Sequence, residues 1–170
     1  NQGRAWRGSE QILSLMIDLK TPLHPTIDRL IAKLEKHPEV FDPAVNPYAV
    51  RVVITGSRPD PSAFGEFPHF ISFDGFIDVE YTPEQLERVA LISEPFCRYA
   101  KWKGGPEPLP AQEKQVIEQL IAKSHKAGKP IRFWCSPDNA VAWETFRKLG
   151  IDIINTDQPE ACTLYFQQNP

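Results

Sequence analysis

Several inexpensive pointers to function are missing from this sequence. No apolar run approaches the ~20 residues that a membrane-spanning helix needs. The three cysteines, Cys97, Cys135 and Cys162, lie far apart and show no Cys-x-x-Cys spacing, which removes the usual zinc motifs. No Gly-rich loop follows an apolar run, so the dinucleotide fingerprint and the P-loop are both absent. No basic excess exists either. The net charge is −3, which argues against a general nucleic-acid binder but leaves room for a local cationic site. The chain has a single methionine, Met16, begins Asn1-Gln2-Gly3, and shows no secretory signal pattern.

What is present suits one α/β domain spanning residues 1–170. Hydrophobic residues make up 41% and charged residues 24%, a globular balance. Six short apolar runs are predicted as strands: Leu13–Leu19, Ala49–Thr55, Phe70–Phe76, Val89–Ser93, Ile131–Cys135 and Ile151–Asn155. Helical spacing appears at Ile27, Leu30, Ile31 and Leu34, at Val116, Ile117, Leu120 and Ile121, and at Ala142, Trp143 and Phe146. Thr82-Pro83-Glu84 starts a shorter helix, with Thr82 as its cap, while Pro59-Asp60-Pro61 reads as a loop. Strand and helix in alternation predict a parallel sheet with right-handed crossovers.

Polar residues collect where the runs end: Asp18, Lys20, Thr55, Ser57, Asp74, Ser93, Ser136 and Asn155. In a closed parallel barrel these positions converge on one catalytic face. The expected fold is therefore a (β/α)8 TIM-type barrel. Such a barrel takes about 250 residues, so its first two strands are expected to be absent from this chain. Asp18, Lys20, Arg132 and Trp134 are then expected around one cavity. An unclosed barrel leaves unpaired edges, which predicts self-association. The cysteines read as three buried thiols, with one disulfide plus one free thiol as the alternative.

Three segments carry candidate chemistry. Asp18 and Lys20 stand two apart in a strand and share a face, so they form either a simple ion pair or a carboxylate beside an anion-binding cation. Arg132 and Trp134 share a face of the Ile131–Cys135 run; the guanidinium suits a phosphate and the indole an apolar wall. Alternatively, Arg132 pairs with an acid and Trp134 is core. Gly150-Ile151-Asp152-Ile153-Ile154-Asn155-Thr156-Asp157-Gln158-Pro159 reads as a strand running into a helix, with Asp157 as its cap.

Together these segments resemble the superfamily of glycerophosphodiester phosphodiesterases and phosphatidylinositol-specific phospholipases C. The last segment is similar to that family's Gly-x-Asp-x-x-x-Thr-Asp-x-Pro ending. Trp134 falls at an aromatic position, Asp18-Leu19-Lys20 at an acid-x-Lys pair, and Leu91-Ile92-Ser93 with Arg132-Phe133-Trp134 resembles a bacterial branch of the family. The resemblance implies a metal-dependent phosphoric diester hydrolase of lipid metabolism, secreted or periplasmic, acting on glycerophosphodiester or phosphoinositide-like small molecules. It implies Ca2+ or Mg2+ as cofactor with Asp18 as a ligand, Lys20 as the catalytic cation, and Arg132 and Trp134 as substrate-binding residues. The family's paired catalytic histidines and its Glu-x-Asp ligands have no counterpart here and are expected upstream, so a longer parent is expected to be the enzyme and these 170 residues alone to be inactive. His24 could face the site, whereas His37, His69 and His125 read as solvated. The alternative is a non-catalytic or degenerate barrel that binds a phosphorylated ligand or a protein partner.

Overall fold

Runs rich in Val, Ile and Phe form the strands, because branched and aromatic side chains pack well on a pleated surface. The computed structural model describes residues 3–170. Its strands are β1 (Ser14–Leu19), β2 (Arg51–Gly56), β3 (Ile71–Gly75), β4 (Val89–Pro95) and β5 (Ile131–Trp134). Its helices are α1 (Leu23–Leu34), α2 (Pro38–Phe41), α3 (Pro83–Arg88), α4 (Phe96–Tyr99), α5 (Ala111–Lys126), α6 (Ala140–Leu149) and α7 (Pro159–Gln168). The Pro59-Asp60-Pro61 segment, expected as a loop, opens a 3-10 helix, Pro61–Glu66, in which the Asp60 carboxylate accepts from the Ser62 N–H. The described chain divides into two compact units. The first runs to Asp74 and takes in Glu80–Ala90, and the second comprises Gly75–Val79 and Leu91–Pro170.

In the first unit β1 runs parallel to β2, from Ser14 beside Arg51 to Leu19 beside Gly56. β2 runs parallel to β3, from Val52 beside Ile71 to Ile54 beside Phe73. Val52, Val53 and Ile54 are fully buried, as expected of a strand covered on both faces. Ile27 of α1, Phe64 and Phe73 are also buried, and Phe64 stacks on Phe73 at 4.2 Å. β1 is less covered, and Leu13 and Leu15 remain exposed. The cap expected at Thr82 is present and, with Gln85, completes a capping box, and Arg88 at the end of α3 donates to the carbonyls of Phe67, Pro68 and Ile71. Those bonds satisfy backbone oxygens where the chain enters β3.

In the second unit β4 runs parallel to β5, from Ile92 beside Ile131 to Pro95 beside Trp134. Ile117 and Ile121 of α5 and Ala142, Trp143 and Phe146 of α6 are buried. Phe96 meets Phe133 and Phe146 edge-on at 6.2 and 5.3 Å. Asn139 caps α6 by accepting from the Ala142 N–H, and Gly150 ends the helix in the left-handed conformation.

The closed barrel is overturned. The described residues form one open, all-parallel sheet of five strands in the order β1-β2-β3-β4-β5. Closure would require the end strands to pair, but β1 and β5 are the ends of this order. The sixth run, Ile151–Asn155, contributes only a parallel bridge between Ile153 and Arg132. Side chains replace its ladder: the Asp152 carboxylate takes the Ile131 N–H at 2.8 Å, and the Asn155 side chain takes Arg132.

The reading of three thiols is also corrected. Cys97 and Cys135 form a disulfide, with Cα atoms 5.7 Å apart, and only Cys162 is free and buried. Parallel pairing brings the ends of β4 and β5 side by side at about one strand spacing, which matches disulfide geometry. The bridge joins residues 38 apart in sequence. Cys97→Ser combined with Cys135→Ser is expected to lower stability by about 2–4 kcal/mol. Urea unfolding measures it, and an unchanged midpoint in the double variant would disprove the estimate.

Candidate functional site

In the first unit, polar side chains gather at the C-terminal ends of three adjacent strands. Asp18 lies in register with Thr55. Thr55 Oγ1 donates to Asp74 Oδ2 at 2.8 Å. Asp18, Thr55 and Asp74 therefore form one row across β1, β2 and β3. Lys20 Nζ sits 2.5 Å from Asp18 Oδ2, with side chains 82% and 45% exposed respectively. An exposed pair of this kind contributes about 0–1 kcal/mol, so it adds little to stability. At the other end of the row, Arg58 Nη1 donates to Asp74 Oδ1; these side chains are only 13% and 4% exposed. Thus one ion pair is solvated and the other is buried.

Gly56 makes the close approach of β1 and β2 possible. Its φ is +76°, and a Cβ there would stand 2.3 Å from Asp18 Oδ1 and 2.6 Å from the Leu19 carbonyl oxygen. Only glycine accommodates both the conformation and the contact.

The second unit holds Arg132 and Trp134. Ile131 and Phe133 are buried, while Arg132 is half-buried and Trp134 is 43% exposed, so the latter two share the outward face of β5. Arg132 donates from Nη1 to Ser93 Oγ at 3.0 Å and from Nη2 to Asn155 Oδ1 at 2.5 Å. Both of these partners are neutral. A cavity of about 150 Å3 in this unit is lined by Phe96, Cys97, Trp102, Lys103 and Cys135 among others, but by neither Arg132 nor Trp134.

Glu94 is a buried carboxylate that the sequence reading missed. It accepts from the Ile77 N–H at 2.8 Å and from the Tyr99 hydroxyl at 2.9 Å. Burial, with help from Glu94, pushes the Tyr99 phenol up to about 12. The unfolded chain releases this proton near its ordinary value of 10.0, before the folded chain does. Stability is therefore expected to fall as pH rises from 10 through 12, and Tyr99→Phe should flatten that fall. Parallel curves for wild type and variant in alkaline urea titrations would refute the assignment.

Asp157 does not cap α7. Gln158 occupies the cap position without a side-chain bond, and the Asp157 N–H donates to Asp138 Oδ2 at 2.8 Å. Burial opposes ionisation of Asp138, but bonds from Thr156, Asp157, Trp143 and Gln158 outweigh it and hold the carboxyl below its usual range. Asp138 thereby ties the turn before α6 to the turn before α7.

No family model, curated protein or solved structure matches the chain.

The residues singled out from sequence thus fall into two groups. Asp18 and Lys20 belong to the first unit, and Arg132 and Trp134 to the second. Each histidine has an acidic neighbour: His24 with Asp28, His37 with Glu39, His69 with Asp42 and His125 with Asp152. No three His, Cys, Asp or Glu residues come together among the described residues. Asp18 instead holds Lys20, and Asp74 is engaged by Thr55 and Arg58. No described helix is long and apolar enough to cross a membrane.

Proposed function

We propose that this chain recognises a phosphodiester of the glycerophosphodiester or phosphoinositide-like class, and that hydrolysis of that diester is the reaction it serves. The observation that carries this reading is Lys20. Its ammonium is held by Asp18 at the C-terminal end of a parallel strand, yet it is largely open to solvent. The resemblance of Asp18-Leu19-Lys20 and Gly150–Pro159 to the phosphodiesterase segments supports it. A cation at this position stabilises the negative charge that grows on the phosphoryl oxygens. Asp18 orients that cation. The Cys97–Cys135 bridge supports an oxidising compartment.

A second reading, binding without turnover, is favoured by the histidines. Proton transfer needs an acid–base group within reach of the leaving oxygen, and the carboxylates that hold the four histidines, Asp28, Glu39, Asp42 and Asp152, do not include the Asp18 that holds Lys20. The two readings separate in one experiment. The protein is titrated with glycerophosphocholine by calorimetry, and its turnover of bis-p-nitrophenyl phosphate is followed with and without added Ca2+ or Mg2+. Lys20-dependent turnover supports the hydrolase. Lys20-dependent heat without turnover supports the binder. Neither heat nor turnover would refute both.

A further inference from the structure

We propose that the Cys97–Cys135 disulfide is a thiol–disulfide exchange site that takes a small anionic thiol of the glutathione class. Neither reading of the phosphodiester chemistry uses this bridge, and both cysteines belong to the second unit.

Access comes first. Cys97 and Cys135 are both exposed. Both also line the cavity of about 150 Å3, together with Phe96, Trp102 and Lys103. A cavity of that size holds several non-hydrogen atoms, enough for the cysteinyl arm of a thiol. A nucleophile therefore has a route to the bridge in the folded chain. The backbone adds a second observation. Cys135 has a φ of +55°, a left-handed conformation that a residue with a Cβ rarely adopts. Opening the bridge frees this residue to relax, which favours the dithiol. Exposed or strained bridges are the labile ones, whereas bridges that only brace a fold resist the glutathione pool. Lys103 supplies the charge. A cation in the cavity attracts an anionic thiol and stabilises the thiolate that leaves.

The exchange balances with the thiol as the only reagent. A thiolate attacks the sulfur of Cys97 or Cys135, a new S–S bond forms as the protein's own breaks, and the displaced cysteine leaves as a thiolate. A second thiol repeats the attack on the mixed disulfide. The products are the oxidised small thiol and two cysteine thiols, which take up the protons that the two small thiols lost.

Reduction of the 170-residue chain by glutathione tests the proposal, with samples alkylated and weighed at intervals. Cys97 and Cys135 are expected to become alkylated in the folded protein, through a glutathione adduct visible in the mass. Cys162 should stay protected, because it is buried and burial pushes its thiol up. The rate should stay within about twofold below the urea unfolding transition, whereas a route through the unfolded chain would speed up about tenfold per molar urea. Lys103→Glu should slow glutathione about threefold or more and slow cysteamine, whose thiolate form has no net charge, much less. A rate that climbs steeply with urea, or Cys162 labelled in step with the other two, would mark a bridge reached only by unfolding and overturn the exchange site. Equal rates for wild type and Lys103→Glu with glutathione would overturn its preference for an anionic thiol.

Discussion

Asp74→Ala is expected to destabilise the protein by about 3–5 kcal/mol, the usual result of removing one partner from a buried ion pair. Asp74 is 4% exposed and Arg58 13%, so water compensates little for the lost carboxylate. Thr55 loses its acceptor at the same time. The effect should appear as a lower midpoint in urea unfolding, with the slope unchanged. Asp74→Asn should lose less, because the amide oxygen still accepts from Arg58 while the amide nitrogen donates to the Thr55 hydroxyl. By contrast, Asp18→Ala breaks a solvated pair and should stay within about 1 kcal/mol of wild type. A loss below about 1 kcal/mol for Asp74→Ala would show that the Arg58–Asp74 pair is not the buried contact described above.

Under the hydrolase reading proposed above, Lys20→Ala is expected to reduce phosphodiester hydrolysis about 10²–10³-fold, the usual effect of removing one group that stabilises developing charge. Its side chain is 82% exposed and bonded to one carboxylate, so the unfolding midpoint should hardly move. This separation of activity from stability identifies a group acting on the substrate. Lys20→Arg should recover part of the rate, since the charge remains. Steady-state rates on bis-p-nitrophenyl phosphate and urea unfolding on the same samples provide the check. A Lys20→Ala protein with wild-type turnover would remove Lys20 from the mechanism.

The two ion pairs show how unevenly such a site can be read. Asp18 and Lys20 were legible because they sit two apart at the end of one apolar run, Lys20 just past β1, where a period of two suggests a shared face. The same rule made Arg132 and Trp134 legible on β5. Arg58 was not, since its partner Asp74 lies on the next strand and their meeting depends on the register of β2 with β3. Glu94 and Tyr99 lie close in sequence, but the burial of Glu94 follows from how the chain packs around it.

The amino-acid sequence by itself determined the element types. Apolar runs of strand length became β1 to β5, and helical periodicity with its stop signals became α1, α5 and α6. These are local properties, set by side-chain spacing, caps and turn residues. Tertiary structure decided the rest. It left the sheet open where a barrel was expected, reduced Ile151–Asn155 to one bridge, and joined Cys97 to Cys135 across 38 residues. Each outcome depends on which distant segments become neighbours. Ladder bonds can be replaced by side chains, as Asp152 does for Ile131, and no local pattern announces the substitution.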